Sequence, residues 1–499
     1  MNVHVPVYLG IDLGTQSVRA MAVSQTGAVL GLGAHPLTSQ RDGARHEQAA
    51  EEWWTATAVA CRAALRGLPR EDVRGVAVDA TSGTILLMDE AGRALTRGLM
   101  YDDTRAIAET LRANEAGGAV WSALGYHRMQ AAWGLPKLLW LLRERRGVVT
   151  PATRLAHQSD FITRRLAGKP VATDMSNALK TGCDLFAEDW PRDVFTTLGI
   201  PQEMLPPVVR SGTRLGGVCA SAAAATGIPE GAAIVAGMTD GCAAQIGAGA
   251  LRVGSWNSVL GTTLVLKGVA PELIRDPLGV VYSHRSPDGG WLPGGASGVG
   301  ATAAAWGFAG RDLDALSAQA ASRGPAGAIA YPLAARGERF PFHAPDAAGF
   351  LLGQPRDEID HYAALLQGVA FIERLCFDYL DLLGAPIGGD LLLTGGGAKS
   401  RDWCQLRADI LGRPVKLPEN AEAALGMAIL AASDGREVAA TAAAMVRIRE
   451  TLDPQRERTR QFQEPYLRLV EELAHRGWLP AYIAAHAHSR AAVTGSGPT

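Results

Sequence analysis

Val7-Tyr8-Leu9-Gly10-Ile11-Asp12-Leu13-Gly14-Thr15-Gln16-Ser17 is the stretch whose reading decides the fold. An apolar run ends in an acid, then a glycine, then hydroxyl and amide side chains. The run predicts a buried strand over Val7–Ile11, and Val18–Val23 resumes as a second strand after the glycine turn. Ser24-Gln25-Thr26-Gly27 is a turn signal, and Ala28–Leu32 follows as a third strand. Three antiparallel strands then open a mixed sheet. Within the turn, Gly14 lets backbone approach a ligand closely, and successive N–H groups can form an anion nest. Thr15, Gln16 and Ser17 add donors, and Asp12 at the strand end can orient Mg²⁺ through water. The same residues also suit a tight hairpin with an Asx-type turn.

Outward from this stretch, helical and strand patterns alternate, which indicates an α/β chain. Ala49–Leu65 reads as a helix opened by Glu51 and Glu52, and Val73–Val78 as a strand ending in the polar loop Asp79-Ala80-Thr81-Ser82-Gly83-Thr84. Ile234–Ala236 is a short strand before Gly237-Met238-Thr239-Asp240-Gly241 and a helix of small residues reaching about Ala248. Gly254–Leu260, Gly261-Thr262-Thr263 and Leu264–Lys267 then repeat the strand–turn–strand of the opening, and Leu260-Gly261-Thr262 repeats Leu13-Gly14-Thr15. The repetition implies duplication with a boundary near residue 250. The expected organisation is an N-terminal domain over 1–249, a C-terminal domain over 250–450 and a helix with a flexible tail over 451–499. Further on, Tyr362–Leu383 and Trp403–Leu411 read as helices flanking a strand at Asp390–Leu393, and Ala421–Ala432 as a close-packing helix of small residues. Residues after about His488 hold little to bury.

The 499-residue chain carries 48 Lys and Arg against 50 Asp and Glu, a formal charge of −2, so it has no overall basic field for a nucleic-acid backbone. The clusters at Arg143–Arg146 and Arg456–Arg460 read as solvated helix faces. Cys61, Cys183, Cys219, Cys242, Cys376 and Cys404 are too widely spaced for a zinc or redox motif, so free thiols in a reducing cytosol are expected. No basic region precedes the first apolar run and no apolar stretch reaches about 18 residues, so neither a secretory leader nor a membrane span is expected. The longest candidate, Ala131–Leu142, holds Pro136 and Lys137. The 58 glycines exceed the average share of about 7%. Part of the excess is placed at Gly14, Gly237, Gly241, Gly261 and Gly395–Gly397, where backbone would approach a ligand.

Several side chains could carry chemistry. Asp240 lies one turn past a strand between two glycines; its carboxylate could accept a proton from a hydroxyl nucleophile, and Asp is also a favoured helix N-cap. Ser82 and Thr84 offer hydroxyls to a polar ligand. Asp103 and Arg105 could pair with each other or face that ligand. His157-Gln158-Ser159-Asp160 reads as a helix cap. Gly395-Gly396-Gly397-Ala398-Lys399-Ser400 looks like a phosphate loop but lacks the required glycines, since Leu393 and Ala398 stand there. Three glycines after a buried strand instead let a flat ligand such as adenine lie against backbone, with Trp403 as a wall; a simple loop is the alternative.

Taken together, the chain resembles the FGGY family of carbohydrate kinases from about Tyr8 to about Gly435. The ordered set is Gly10-Ile11-Asp12-Leu13-Gly14-Thr15, Asp240, Leu260-Gly261-Thr262-Thr263, Arg336-Gly337-Glu338-Arg339-Phe340-Pro341, Ala348-Gly349-Phe350 and Gly395-Gly396-Gly397-Ala398-Lys399-Ser400-Arg401-Asp402-Trp403. Within the family it looks most like the branch of D-ribulose kinases once labelled xylulokinase-like. Asp79–Thr84, Ser176-Asn177-Ala178-Leu179-Lys180, Tyr282-Ser283-His284-Arg285 and Gly294–Gly300 carry that likeness; the Met-His-Gly of typical bacterial xylulokinases is missing near Ser82-Gly83. The resemblance implies an actin-like ATPase fold, two ribonuclease-H-like domains with a cleft between them. It implies ATP and Mg²⁺ and a sugar substrate, most simply D-ribulose, with D-xylulose or another polyol as the near alternative and a non-catalytic actin-like sugar sensor as the distant one. Asp240 would be the base, and Asp12, Ser82, Asp240 and Gly241 would meet the sugar. Gly14, Thr15, Gln16, Gly261 and Thr262 would hold phosphates, and Gly396, Gly397, Ser400 and Trp403 would line the nucleotide pocket. Asp12 and Asp240 would face the metal. Ser400 stands where relatives often have Asn, and Gly241 where a polar residue is common. A cytoplasmic enzyme without nucleic-acid or membrane partners is expected, with a homodimer left open.

Overall fold

The computed structural model describes residues 5–302, 307–308, 310–321 and 323–495. It separates into two compact units. The first contains Met1–Leu251, His284–Leu292 and Asn420–Arg447; the second contains Arg252–Ser283, Pro293–Glu419 and Ile448–Thr499. The change expected near residue 250 falls at Leu251/Arg252. The continuous second domain expected over 250–450 does not describe the structure, because two of its segments pack into the first unit.

In the first unit a six-stranded sheet runs, edge to edge, Val29–Pro36, Ser17–Ser24, Val7–Leu13, Val73–Ala80, Ala233–Val235, Arg214–Gly217. The first three strands are antiparallel, the next two join in parallel, and the last is antiparallel. Leu9, Ile11 and Leu13 are fully buried at its centre. The expected helix over 49–65 spans Ala50–Ala64, and Glu51 and Glu52 sit in its first turn, where acids favour the dipole. On the central strand, a Cβ at Gly10 would stand 1.7 Å from the Ala424 carbonyl oxygen. That strand therefore touches the backbone of helix Ala423–Ser433, which accounts for the run of small residues there. Gly426 makes the same approach to helix Asp240–Ala248, its would-be Cβ 1.9 Å from the Ala243 oxygen.

His284–Leu292 is held in the first unit by charge and stacking. Glu188 bridges Arg210 at 2.8 Å and Arg285 at 3.5 Å, while the Arg285 guanidinium lies 4.6 Å from the centre of the Trp291 ring. Asp288 accepts the amide hydrogens of Val438 and Ala439, capping helix Val438–Met445.

In the second unit, Gly294–Ser297 pairs with Leu264–Lys267, the strand Leu264–Gly268 pairs with Trp256–Leu260, and parallel Leu391–Thr394 and Val415–Pro418 follow, with antiparallel Ile448–Leu452 beyond. Six of this sheet's seven strands repeat the order and sense of the first sheet: three antiparallel strands, two parallel ones, an antiparallel edge. The duplication inferred from one tripeptide is thus present as topology. Behind the sheet, helix Glu358–Leu382 is buried over most of its length. Residues 451–499 are more than a tail: helices Arg456–Gln461 and Gln463–His475 bring Phe462, Tyr466, Leu469 and Leu473 into the second core, joined by Ile483 and Ala487 of a last helix reaching Gly495. The flexible end expected there lies, for 496–499, outside the described residues.

Arg458 is not a freely solvated cation either; it reaches the buried Asp409 at 2.9 Å. All six cysteines are free. Among the described residues no helix is long and apolar enough to cross a membrane. Ala131–Leu142 holds the start of helix Gly134–Glu144, where the fully buried Lys137 donates to the Met100 oxygen at 2.8 Å. Burial pushes its ammonium down to about 7.

Candidate active site

Three parallel strands lie side by side in the first unit: Asp12 and Asp79 are the penultimate residues of Val7–Leu13 and Val73–Ala80, and Asp240 follows Ala233–Val235 by five residues. The strand register places Asp12 directly opposite Asp79. A parallel bridge joins Ala80 to Thr239, so Asp240 leaves the sheet beside the turn Thr81–Thr84. In open α/β sheets the carboxyl ends of parallel strands are where ligands bind. Asp79 was read as the first residue of a loop; it lies inside strand Val73–Ala80 and is fully buried. Burial and the charges of Asp12 and Asp240 push its carboxyl well above the usual range. Asp12 is raised to about 6 by burial first and then by the charge of Asp240, with Arg19 at 3.8 Å pulling the other way. Both Asp79 carboxyl oxygens are buried with no hydrogen-bond partner among the described residues, which favours the neutral carboxyl there.

Asp240 is not the helix cap. Thr239 is the N-cap of helix Asp240–Ala248, and Asp240 is its first residue, half-buried, accepting the Gly241 amide at 2.7 Å. A Cβ on Gly241 would meet no atom within 4 Å, whereas one on Gly237 would stand 1.9 Å from the Val78 oxygen. Gly237 is therefore required by packing, and Gly241 is not.

The turn after Asp79 is rigid. The hydroxyls of Thr81 and Thr84 are 2.6 Å apart, and Thr81 donates to Gln158 at 2.7 Å, so Thr84 serves the turn and not a ligand. Ser82 keeps a buried hydroxyl oxygen that has no hydrogen-bond partner among the described residues. Gly83 has a positive φ of 88°, and a Cβ there would stand 3.3 Å from the Lys180 side chain, whose ammonium is 5.9 Å from the centre of the Trp133 ring. Tyr101 is near enough for the charge of Asp240, after burial and Asp102, to raise its hydroxyl. Lys180, with Trp133 beside it, thus lies against the turn, and Tyr101 lies near Asp240; their wide spacing along the chain hides this grouping from the sequence, in which the segment Ser176–Lys180 is the one signal. Asp103 pairs with Arg105, which also reaches Glu47, and so faces structure. His157 closes a capping box with Asp160, as its sequence predicts.

Gly14 donates its amide to the Ser17 oxygen at 3.2 Å, and a Cβ on it would come no nearer than 3.3 Å to any atom. Thr15 is half-buried and Gln16 exposed; their carbonyls accept from Gln48 and Leu37. In the second unit Gly261 makes the corresponding bond, its amide to the Thr263 oxygen at 3.0 Å, and its would-be Cβ has 3.9 Å of clearance. Close behind Thr262 runs Gly300, whose Cβ would stand 2.2 Å from the Thr262 oxygen. A Cβ on Gly396 would meet nothing within 4 Å, whereas Gly395 has φ 81° and Gly397 abuts the Leu260 side chain. A Cβ at Gly241, Gly261 or Gly396 would meet no atom nearer than 3.9 Å, so neighbouring packing does not require glycine there, whereas one at Gly14 would press on the Ser17 oxygen at 3.3 Å.

The open pocket wall expected at Trp403 needs correction. Trp403 is 6% exposed, packs in the second core and donates its indole N–H to the Leu366 oxygen, so it backs the glycine turn and presents no open ring. Ser400 caps helix Arg401–Leu411, its hydroxyl accepting the Trp403 amide at 3.3 Å.

Two duplicated units built on a hairpin-led mixed sheet define the actin-like ATPase fold. Residues 7–247 match the N-terminal domain, and residues 256–434 the C-terminal domain, of the FGGY family of carbohydrate kinases. The chain is 30% identical to a xylulose kinase of Streptomyces rubiginosus over 88% of its own length and 90% of that protein's. It is 27% identical to a xylulose kinase of Bacillus subtilis (strain 168), covering 85% of this chain and 87% of the other. The crystal structure of xylulose kinase from Rhodospirillum rubrum superposes with a TM-score of 0.82 at 26% identity, over 94% of this chain and 98% of that one. The chain belongs to the FGGY family of carbohydrate kinases. It is an ATP-dependent carbohydrate kinase.

Proposed function

We propose that the protein phosphorylates a ketopentose, D-ribulose in first place, at its terminal hydroxyl to give the 5-phosphate. The observation that carries this reading is the placing of Asp12 opposite Asp79 in the strand register, with Asp240 following the Ala80–Thr239 bridge beside them. Asp240 takes the proton as the hydroxyl attacks the γ-phosphoryl group of ATP; ADP leaves and the sugar keeps the phosphoryl. Asp12, Ser82 and the backbone at Gly241 hold the sugar. In the first unit the Thr15 and Gln16 amides serve phosphate oxygens; in the second the Thr262 amide does so, and the Gly396 turn leaves room for the nucleotide base. Most of the acceleration comes from positioning.

Among the described residues no group of three or more His, Cys, Asp or Glu is arranged to hold a metal ion. The hard oxygen donors of Asp12 and Asp240, crowded enough to raise Asp12, fit Mg²⁺ held mainly through water and phosphate. When bound, Mg²⁺ supplies neutralisation of phosphate charge. The six free thiols suit a reducing compartment.

The names of the relatives favour D-xylulose as the second reading. A panel of D-ribulose, D-xylulose, their L-isomers and the matching pentitols in a coupled ADP-release assay decides between them. D-ribulose should give the highest kcat/KM; a higher value for D-xylulose replaces it, and no sugar-stimulated turnover ends the kinase assignment of the site. The same assay across pH carries a second expectation. Because Asp12 is held up at about 6, it is protonated below that value. Activity should fall tenfold per pH unit well below pH 6 and level off above it. An acid limb near 4 would mean that Asp12 titrates normally in the working enzyme.

A further inference from the structure

Thr239 breaks a local rule. Thr is a good N-cap because its hydroxyl accepts an amide of the first helical turn, and that bond is worth about 1 kcal/mol. Thr239 stands at the N-cap of helix Asp240–Ala248 and makes no such bond. Its hydroxyl turns instead to the Ser176 hydroxyl, 3.0 Å away. The Thr239 amide donates to the same oxygen at 3.1 Å. Ser176 in turn meets Nδ1 of His284 at 3.1 Å. Thr239, Ser176 and His284 are each no more than 2% exposed. A protein that gives up a cap for a buried hydroxyl–imidazole chain, one residue before its candidate base, is spending stability on placement.

The platform under Ser176 is firm. Asp174 caps helix Met175–Ala178 by accepting the Asn177 amide at 2.8 Å, and its other oxygen takes the Asn177 side chain at 2.8 Å. His284 arrives from a segment 108 residues further on, held against Glu188 through Arg285. Two distant stretches thus meet at the residue preceding Asp240.

We propose that His284, acting through Ser176, is a positioning residue that fixes the Thr239–Asp240 peptide and so aims the Asp240 carboxylate. This rests on the reading of Asp240 as the base. It assigns His284 no proton transfer and no contact with the sugar. Nδ1 is the atom that matters, and the Ser176 hydroxyl relays its position to both the backbone and the side chain of Thr239.

The test exploits amide mimics of imidazole. In His284→Asn the side-chain amide falls near the place of Nδ1; in His284→Gln it falls near Nε2. Steady-state kinetics, melting temperature and amide exchange of Thr239 are measured for both, and for Ser176→Ala. Ser176→Ala and His284→Gln should lower kcat about 10-fold or more with KM for ATP within twofold, and His284→Asn should restore kcat to within about threefold of the parent, in proportion to regained order and not to melting temperature. In an Asp240→Asn background Ser176→Ala should cost nothing further, because there is no base left to aim. The proposal is overturned if Ser176→Ala keeps the parental kcat, if His284→Gln outperforms His284→Asn, or if the loss persists undiminished without Asp240. Failure of the base assignment itself reads differently: Asp240→Asn would then turn over normally. Amide exchange at Thr239 should still accelerate in Ser176→Ala, and unchanged exchange removes the relay.

Discussion

Asp240→Asn is expected to lower kcat for sugar phosphorylation by about 10²- to 10⁴-fold while ATP binds within about twofold of its parental affinity. The substitution is nearly isosteric. The amide oxygen of Asn can still accept the Gly241 N–H that Asp240 takes at 2.7 Å, so the helix start should keep its geometry. What is lost is the ability to take a proton. Because the change acts only on a step in which the hydroxyl is being deprotonated, it should appear in kcat and kcat/KM together and leave the nucleotide dissociation constant nearly untouched. A variant with more than a tenth of parental kcat would remove Asp240 from the role of base.

The second large effect concerns stability. Glu373 and Arg407 are both fully buried and paired at 2.7 and 2.8 Å, and the Ser258 hydroxyl donates to Glu373 at 2.6 Å while accepting from Arg407 at 2.8 Å. Ser258 lies on the strand that leads to Gly261, and Arg407 on the helix that follows the Gly395–Gly397 turn. The triad therefore ties together both glycine turns of the second unit. Glu373→Ala leaves a guanidinium in the core without its counter-charge, which should cost about 3–5 kcal/mol, read as a lowered urea midpoint for the second unit. Replacing both partners, Glu373→Met with Arg407→Met, should recover most of that loss, because an apolar pair carries no desolvation penalty. A single variant that loses under about 1 kcal/mol would show that the buried pair does not hold these turns.

Much of the site was legible from local pattern. Asp12, Gly14, Asp240 and Gly261 are each announced by a strand ending in a polar or glycine-rich turn, and one repeated tripeptide signalled two sheets of matching order. What escaped depends on register and packing. Asp79 matters because parallel pairing sets it opposite Asp12, and neighbouring residues carry no trace of that pairing. Trp403 follows glycines as a pocket wall would, but a large apolar ring on a buried helix face is claimed by the core. Ser400 also caps helix Arg401–Leu411. Gly237 and Gly397 answer to neighbouring backbone and side chain, while Gly241 and Gly396 do not; composition cannot separate the two kinds, and steric clearance does.

The return of Asn420–Arg447 to the first unit has a practical consequence. The helix Ala423–Ser433 that lies against Gly10 is encoded more than 400 residues after the strand it covers. A gene fragment stopped at Leu251 would make a half-protein with its central strand uncovered on that side, prone to self-association. Complementation by a separate peptide spanning 420–447 should restore it. Ribosomal synthesis therefore cannot finish the first unit until Arg447 has been added, and the newborn chain must keep an incomplete sheet from misassembling throughout that interval.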